Sequence, residues 1–409
     1  MAEPVLFCKN PLHNKGKSGI ITPNAYVGGI TGVGNGEISG NTNEGDITST
    51  SNVTSLYMGG VVGAVLGQSV KLENNSNANA SDLTATGKAI YTYVGGLAGY
   101  VSDEVWLSYD FTSDAGVFAG SIYAGNAEAN SSAIIAAGGF VGFVESPMTI
   151  NGLNYEGTVT TDISDVTTGD YYTFGGLVGR AAAALTVTSS TTKGSMPLTK
   201  TTTIPKAKIS HGGIVGLCET DVTIKSCTNE MAIEFAAATP SKSNGVISHL
   251  GGIVGRVYSG KTHIEDCHNK GKIVNRLYNN NLLHDLGGTT TGKIAVVGGV
   301  LGSYGYLQSA LPTDEAIVKD CTNINAVEAY RGGVGGVVGY IRNGVIDGCT
   351  YLNGRADSQS NSYAGGIVCI ADDTIIRGCK ATADLVSKPA GSLYIRCGGI
   401  AAWTRGATT

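Results

Sequence analysis

The chain has 409 residues, with 61 glycines and 9 prolines, 42% hydrophobic residues and 14% charged residues. Glycine at about twice its average frequency is typical of flexible chains, but this apolar content is enough to build a core, which excludes disorder and collagen. The net charge of −5 is spread thinly, which excludes the concentrated basic surface that nucleic acid or an acidic membrane requires.

The first residues show no targeting signal and already contain part of a repeat. Residues 1–4 lack a basic region followed by an apolar stretch, so they do not predict a signal peptide. Residues 5–10 have the pattern apolar-x-x-Cys-x-Asn, with Cys8 and Asn10 at its end. The longest apolar run, residues 133–144, is too short to span a bilayer and includes glycines, so no transmembrane helix is predicted.

A Gly-Gly-apolar-x-Gly pentad then recurs along the chain. From Gly28 to Gly398 the repeats cover 370 residues in ten intervals, a mean of 37, and single intervals vary from 30 to 47 residues. A fixed unit with variable loops indicates a repeat architecture. The pentads begin at Gly28, Gly59, Gly95, Gly138, Gly175, Gly212, Gly251, Gly298 and Gly335, with degenerate copies at Gly365 and Gly398.

Each unit contains further short apolar pieces after its pentad. The apolar-x-x-Cys-x-Asn element returns at residues 224–229, 264–269 and 318–323, and a polar-glycine step with another apolar residue follows at residues 43–47 and 269–273. Glycine, threonine, asparagine and β-branched residues without a 3.6-residue period predict short strands rather than helices.

Such strands, each too small to bury a face alone, become stable when successive repeats stack. The sequence therefore predicts an all-β fold, a right-handed parallel β-helix (solenoid) of about eleven rungs, with one rung per repeat, in a single domain over residues 1–409. A β-propeller or an array of β-sandwiches is the alternative, but eleven units with uneven loops fit an open stack better.

In a stack, equivalent positions of the repeats form columns. The third pentad position is apolar in every repeat, so this column is predicted to point inward and to supply most of the hydrophobic stabilisation. Its members are Ile30, Val61, Leu97, Phe140, Leu177, Ile214, Ile253, Val300, Val337, Ile367 and Ile400.

A second inward column is predicted at Cys227, Cys267, Cys321, Cys349 and Cys379. Disulfides, a metal site and a stack of buried thiols are the three interpretations. Side chains on adjacent rungs lie farther apart than a disulfide prefers, and no paired Cys or His pattern indicates zinc. The thiol stack is favoured, and no metal or other cofactor is expected.

Two residues before the cysteine, a charged column alternates in sign. It predicts a ladder of ion pairs between adjacent rungs. A catalytic carboxylate cluster is the sharper alternative for Glu265 and Asp347, but Lys319 lies between them in the column. The members are Lys225, Glu265, Lys319, Asp347 and Arg377.

An asparagine column predicts a hydrogen-bonded ladder at one corner of the coil. Calcium binding is the alternative, but asparagine carbonyls alone are weak ligands, and the Gly-Gly-x-Gly-x-Asp repeat of calcium-binding β-rolls does not recur. The asparagines are Asn10, Asn43, Asn77, Asn229, Asn269 and Asn323.

Tyr26, Tyr57 and Tyr93 occupy the position two residues before the pentad in three adjacent repeats. They form either a stacking platform for sugar rings or aromatic packing between rungs. Recognition is also expected in the variable insertions, because loops on a rigid scaffold often carry binding. The insertions are residues 100–137, 160–173, 188–208 and 274–293.

Both ends of the sequence fall inside a repeat. Residues 5–10 have no preceding pentad, and no cysteine element follows the pentad at Gly398. Capping repeats that close the ends of a solenoid are not recognised. The expectation is a segment of a longer array, or a protomer whose ends associate with neighbouring copies.

Two kinds of motif resemble those of a known repeat family. They are the pentads GGLVG at residues 175–179 and GGIVG at residues 212–216 and 251–255, and the Cys-x-Asn-x-Gly step at residues 267–271. They resemble the GLUG-motif repeats of bacterial surface and secreted proteins, including adhesin-like proteins of gut Bacteroidetes and non-catalytic regions of some IgA-cleaving metallopeptidases. The resemblance spans nearly the whole chain and implies an extracellular protein, or one on the outer cell surface. The HExxH zinc signature of those peptidases is absent, so their catalysis is not implied.

The leading functional hypothesis is a non-enzymatic adhesion or structural module that binds a host protein or a glycan through lateral loops. The alternative is a carbohydrate-active β-helix enzyme, a polysaccharide lyase or glycoside hydrolase. Such an enzyme needs converging carboxylates with a basic partner, and the 32 acidic residues form no recurring cluster of that kind. Ice binding requires a flat, regular face, which repeats of such variable length disfavour.

Overall fold

A computed structural model gives the architecture of the protein. Its described residues form β-strands and no helix, and they pair in parallel with equivalent strands of the next repeat. The predicted all-β parallel solenoid is therefore confirmed. The structure describes residues 24–66, 71–77, 81–103, 118–127, 133–160, 171–200, 208–237, 242–243, 247–276, 278–279, 295–305, 312–330, 332–358, 363–387 and 395–406.

Two groups of strands flank the pentads, because the glycine corner separates one straight segment from the next. Pre-pentad strands end at the first pentad glycine: Ala25–Gly28, Val53–Gly59, Leu83–Gly95, Ile134–Gly138, Tyr171–Gly175, Lys208–Gly212, Ile247–Gly251, Val296–Gly298, Gly333–Gly335, Tyr363–Gly365 and Arg396–Gly398. Post-pentad strands begin at the fourth pentad position: Thr31–Gly34, Val62–Val65, Ala98–Val101, Val141–Val144, Val178–Ala181, Val215–Cys218, Val254–Val257, Leu301–Tyr304, Val338–Asp347, Val368–Arg377 and Ala401–Arg405.

The remaining strands complete each rung around the cysteine and asparagine columns. Those leading to the cysteine column are Glu37–Ser39, Lys71–Glu73, Met148–Asn151, Leu185–Thr188, Val222–Lys225, Thr262–Glu265 and Ala316–Lys319. Those at or after the asparagine column are Thr42–Asn43, Ile47–Ser49, Ser76–Asn77, Phe118–Ala127, Asn154–Thr160, Thr191–Lys200, Thr228–Ala237, His268–Asn269, Ile273–Asn275, Thr322–Asn323, Val327–Ala329, Thr350–Tyr351, Arg355–Ser358, Lys380–Ala381 and Asp384–Ser387. Lys242–Ser243 and Tyr278–Asn279 pair with each other.

The pentad glycines allow the backbones of adjacent rungs to approach closely. A Cβ atom on Gly252 would lie 2.1 Å from the carbonyl oxygen of Gly299 and 2.4 Å from Cγ of Asn269. Left-handed backbone occurs at a different corner, directly before the cysteine column, with φ of 51° at Ser226, 52° at Asp266 and 50° at Asp320. Close approach, rather than positive φ, is therefore the reason for glycine in the pentad.

The third pentad position lies in the core over most of the stack. From Val61 to Ile367, the nine side chains of this column are 0% or 1% exposed. The prediction of a covered side chain is wrong for Ile30 and Ile400, which are 40% and 38% exposed. These two lie on the outermost described rungs, where a described neighbour covers them on one side only.

The asparagine column forms a chain of buried amide hydrogen bonds. Asn229 Nδ2 donates to Asn269 Oδ1 at 2.8 Å, and Asn269 Nδ2 donates to Asn323 Oδ1 at 2.8 Å. The Oδ1 atom of Asn269 also accepts the backbone N–H of Gly271 at 3.2 Å. The ladder therefore satisfies both the side chains and the corner backbone inside the coil.

The cysteine column contains free thiols in the described part of the chain. Cys227, Cys267, Cys321 and Cys349 are fully buried, whereas Cys379 is only half-buried. The expectation of a buried thiol at every position is thus wrong for Cys379, which lies on the last described rung of this column.

Two of the predicted loop insertions, residues 100–137 and 188–208, contain ten-residue strands, so the prediction of loops throughout them is wrong. Phe118–Ala127 and Thr191–Lys200 are strands that add to the sheet at the asparagine side of the rung, where Phe118 and Met196 are fully buried. Burial of these side chains in the core favours extended structure over a loop. Other parts of the insertions, at residues 104–117, 128–132, 161–170, 201–207, 277 and 280–293, lie outside the described residues.

His211 occupies an unusual position in this core. Its ring packs between Phe174 and Phe235, with centroid distances of 4.7 and 5.0 Å, and neither ring nitrogen has a hydrogen-bond partner among the described residues. Burial lowers the pKa of His211 to about 3. The imidazole is therefore neutral in the folded protein at neutral pH.

Replacing Gly252 with alanine is expected to lower the free energy of unfolding by about 3 kcal/mol, because the new Cβ would overlap Gly299 and Asn269. Gly45→Ala is the matched control, since nothing lies within 4 Å of a Cβ at that position. Its effect should stay below about 1 kcal/mol. Urea unfolding followed by circular dichroism measures both, and equal midpoints for the two variants would contradict the close approach.

Because His211 is buried in its neutral form, it should contribute to the pH dependence of the free energy of unfolding. As the pH falls from about 6.5 to about 3, the unfolded chain binds a proton at this residue before the folded chain does, so stability falls by up to about 1.4 kcal/mol per pH unit. His211→Phe should remove this contribution and keep the ring stack. The half-exposed His268, changed to Gln, is the control, and an acid slope left intact by His211→Phe would disprove the assignment.

Candidate functional site

Two columns outside the main core meet beside the pentad corner and pack against each other, so that most of their side chains are buried; we call this pair of columns the corner seam. One column lies two residues before the first pentad glycine, and the other lies five residues after it. The first is Tyr26, Tyr57, Tyr93, Ala136, Thr173, Ser210, His249, Val296, Gly333, Tyr363 and Arg396. The second is Val33, Ala64, Tyr100, Phe143, Arg180, Leu217, Arg256, Ser303, Tyr340, Ile370 and Trp403.

Side chains of the two columns contact one another along the seam. The Tyr57 and Tyr100 ring centroids are 5.1 Å apart, and those of Tyr363 and Trp403 are 5.7 Å apart. In the middle, Ser303 Oγ lies 2.7 Å from His249 Nδ1. Apolar residues at the two ends of the seam form small clusters separate from the main core. The two columns therefore pack against each other outside the main core.

The N-terminal part of the seam is rich in aromatic residues. We call Tyr26, Tyr57, Tyr91, Tyr93, Tyr100 and Phe143 the tyrosine patch. Tyr26 and Tyr57 stack with centroids 5.1 Å apart and 12° between their planes. Tyr93 follows at 5.7 Å from Tyr57 and meets Phe143 edge-on at 5.0 Å. The patch thus crosses four adjacent rungs.

The patch members differ in what they present to solvent. Tyr91 is 36% exposed, and Tyr26, Tyr57 and Tyr100 are half-buried. Tyr93 is only 6% exposed because Tyr57, Tyr100 and Phe143 pack around it. The expectation that Tyr93 belongs to an accessible platform is therefore wrong. Its ring is covered by the neighbouring rings and supports them by packing.

Charged groups border the patch. The Tyr100 hydroxyl donates a hydrogen bond to Glu145 Oε2. Burial, followed by this contact with Glu145, raises the pKa of Tyr100 above its ordinary value of 10. Tyr100 therefore keeps its proton at neutral pH and remains a hydrogen-bond donor.

Arg180 continues this border on the next rung. Its guanidinium lies over the Phe143 ring, 4.9 Å from the centroid, and its Nε donates to Glu219 Oε1 at 2.7 Å. Lys208 likewise lies over the Tyr171 ring, at 4.1 Å. Aromatic rings, phenol hydroxyls and paired charges on one surface are suited to binding a ligand that has both apolar and hydroxyl-bearing faces.

The predicted charge column is a different kind of site. Glu265 bridges Lys225 and Lys319, each at 3.0 Å, and Asp347 pairs with Arg377 at 2.8 Å. The hydrogen bonds from Lys225 and Lys319 lower the pKa of Glu265 to about 2. A carboxylate held ionised in this way is unsuited to donating a proton, so Glu265 does not support the catalytic alternative. Asp347 is paired with Arg377 and lies beyond Lys319 in the column, so the geometry does not bring the two carboxylates together.

The other end of the seam is closed by ion pairs. Asp372 is 2% exposed and accepts hydrogen bonds from Arg405 Nε at 2.8 Å and from the Tyr340 hydroxyl at 3.4 Å. Arg342 Nε lies 3.5 Å from the same carboxylate. Trp403 is covered by the Arg396 guanidinium at 4.1 Å.

The sequence reasoning found the first column of the patch and missed the second. Tyr100 and Phe143 occupy the same pentad-relative position in adjacent repeats, as does Arg180 in the next. Comparing the residues at this position across all repeats would have found them. In each repeat this position alternates with buried positions on either side, and that alternation was the available signal. The residue type at the position, however, varies from rung to rung.

The described residues also bear on metals and membranes. No group of three or more His, Cys, Asp or Glu side chains among them is arranged to hold a metal ion. A helix long and apolar enough to cross a membrane is likewise not found in the described part of the chain.

Comparison with protein families matches the GLUG motif at residues 248–274 and 360–386. The first match begins in the strand Ile247–Gly251 and ends in Ile273–Asn275, so the motif corresponds to one rung with its pentad, cysteine and asparagine positions. Comparisons with curated proteins and with solved structures gave no match. The protein is a parallel β-solenoid that carries the GLUG motif in at least two of its rungs.

Proposed function

We propose that the protein is a non-enzymatic binding module that attaches to carbohydrate through the tyrosine patch, as part of an extracellular or cell-surface protein. The observation that carries the proposal is the patch itself, with Tyr91, Tyr57 and Tyr100 on a rigid, outward-facing surface. A scaffold that holds rings in fixed positions reduces the entropy lost on binding.

Both faces of a sugar ring have partners in this arrangement. Tyr91, which is 36% exposed, offers an aromatic surface for the apolar face of a sugar. The stacked pair Tyr26 and Tyr57 covers the two ring faces that meet, and both half-buried rings also carry hydroxyls for hydrogen bonding. Glu145 borders the rings as a hydrogen-bond acceptor for sugar hydroxyls.

The contacts favour binding over turnover. A glycosidase needs two carboxyl groups on either side of the scissile bond, one of them free to give up a proton. Glu145 is engaged by Tyr100, and Glu219 is engaged by Arg180. The placement outside the cell, and attachment to a host surface, rest on the resemblance to surface and secreted proteins with such repeats.

A glycan array with the intact chain tests the proposal, together with an assay for new reducing ends and unsaturated products on the same polysaccharides. Binding without products is expected. Tyr91→Ala should weaken binding to the best ligand by about 3- to 10-fold, because a single aromatic contact contributes about 0.5–1.5 kcal/mol.

Tyr258→Ala is the matched control, since Tyr258 is 47% exposed and lies two rungs beyond Arg180. It should leave the affinity unchanged. Equal losses in the two variants, or turnover of the bound polysaccharide, would refute a passive tyrosine-patch site.

A further inference from the structure

The hydrogen bonds that link the pentad corners run in one direction along the stack. In the first described rung, Ile30 N–H donates to Val61 O at 3.0 Å. At the other end, Ile367 N–H donates to Ile400 O at 2.8 Å. Among the described residues, the Ile30 carbonyl therefore has no donor from a preceding rung, and the N–H groups of Gly399 and Ile400 have no acceptor on a following one. One end of the stack carries acceptors, and the other carries donors.

The second pentad glycine shows that the last described rung is shaped to receive another rung. A Cβ on Gly213 would lie 2.1 Å from Gly252 O in the next rung, and this close approach recurs along the stack. A Cβ on Gly366 would lie 1.9 Å from Gly399 O. On Gly399 itself, however, a Cβ would meet nothing within 4 Å. Because glycine costs conformational entropy where no close approach requires it, Gly399 fits a backbone that packs directly onto this rung.

The apolar side chains of the two end rungs also match. Ile30 and Val33 are 40% and 43% exposed on the first described rung, and Ile400 is 38% exposed on the last. Ile400 occupies the same column as Ile30, and Trp403 occupies the same column as Val33. Stacking the last rung of one copy on the first rung of another would therefore continue both columns and cover these side chains.

A cation and an aromatic ring meet in the same register. Arg396 has, on the last rung, the column position that Tyr26 has on the first. Among the described rings, Tyr26 stacks only on Tyr57, so one face of the Tyr26 ring remains for a further neighbour. A guanidinium on the face of a tyrosine is a favourable contact.

We propose that the protein associates head to tail with a second copy of itself, the last rung of one copy pairing in parallel with the first rung of the next. Arg396–Gly398 pairs with Ala25–Gly28 of that copy, and Ala401–Arg405 pairs with Thr31–Gly34. The contact continues the pairing that joins the rungs within the chain, in which Arg396–Gly398 already pairs with Tyr363–Gly365.

This contact joins two different surfaces, so it does not close a dimer. Each copy that joins still has one end available, and the product is a linear filament. The inference is independent of carbohydrate binding at the tyrosine patch, because it rests on the backbone edges and the core columns of the two end rungs.

Sedimentation velocity of the intact chain over a range of concentrations tests the proposal. A reducing buffer is used because Cys397 is exposed. The average mass should rise steadily with concentration, without stopping at a dimer. Electron microscopy should show unbranched filaments of one solenoid width.

Two variants that each block one end test the head-to-tail direction. Ile30→Asp and Ile400→Asp place a charge on opposite ends, at positions exposed enough to tolerate it in the single chain. Each variant alone should remain monomeric, whereas an equal mixture should form a dimer of one copy of each, because their unaltered ends still fit. Ile324→Asp is the control, since Ile324 is 45% exposed in the middle of the stack, and it should assemble like the unaltered chain.

Gly399→Ala separates association from folding. In the single chain the new Cβ meets nothing within 4 Å, so the urea midpoint of the dilute monomer should not change. In the head-to-tail contact the Cβ would overlap the carbonyl of Gly29, so association should weaken by about 5- to 100-fold.

Three results would overturn the proposal. The first is a chain that stays monomeric at every concentration, as expected if another part of the same chain covers an end rung. The second is a mixture of the two end-blocked variants that does not dimerise. The third is a Gly399→Ala variant that assembles as well as the unaltered chain.

Discussion

The close approach of backbones at the pentads is the constraint on which the rest of the structure depends. A side chain on Gly252 would overlap both the next rung and the Asn269 amide, so the glycines set how tightly the rungs stack. At that separation, Ile214 N–H donates to Ile253 O at 2.9 Å, and the Asn229 amide reaches Asn269 at 2.8 Å. Backbone pairing, amide ladder and hydrophobic column therefore all follow from one corner geometry.

The same corner creates the outer surfaces. Because the chain bends sharply at the pentad, side chains before and after it meet on the outside and form the corner seam. Its residue types are free to vary, since the backbone rather than the seam specifies the fold. Aromatic residues at one end and the Asp372 ion pairs at the other show how one scaffold carries different surfaces along its length.

The sequence predicts the repeating parts well because a stacked column requires the same residue type in every rung. The third pentad position and the asparagines are examples: burial or a shared hydrogen bond restricts them. Tyr100 and Phe143 were missed because their column contains arginine, serine and tryptophan elsewhere. The sequence predicts an insertion in place of the strand Thr191–Lys200, because the pairing of this strand with Thr228–Ala237 depends on tertiary contacts and not on a motif. The burial of Tyr93 depends on three neighbouring rings, one on its own rung and one on each adjacent rung.

Pulsed-EPR distances along one column test the stacking most directly. Thr149, Thr186, Thr223, His263, Ile317 and Val345 are successive partners on the outer face. The spin labels are attached by a chemistry that does not use cysteine. From the strand spacing, the backbone distance is about 24 Å between labelled residues Thr149 and Val345 and about 19 Å between Thr149 and Ile317. Distances that increase by one strand spacing per rung are the expected result. Distances that do not follow the order of the rungs, as in a closed ring or separate domains, would contradict the solenoid.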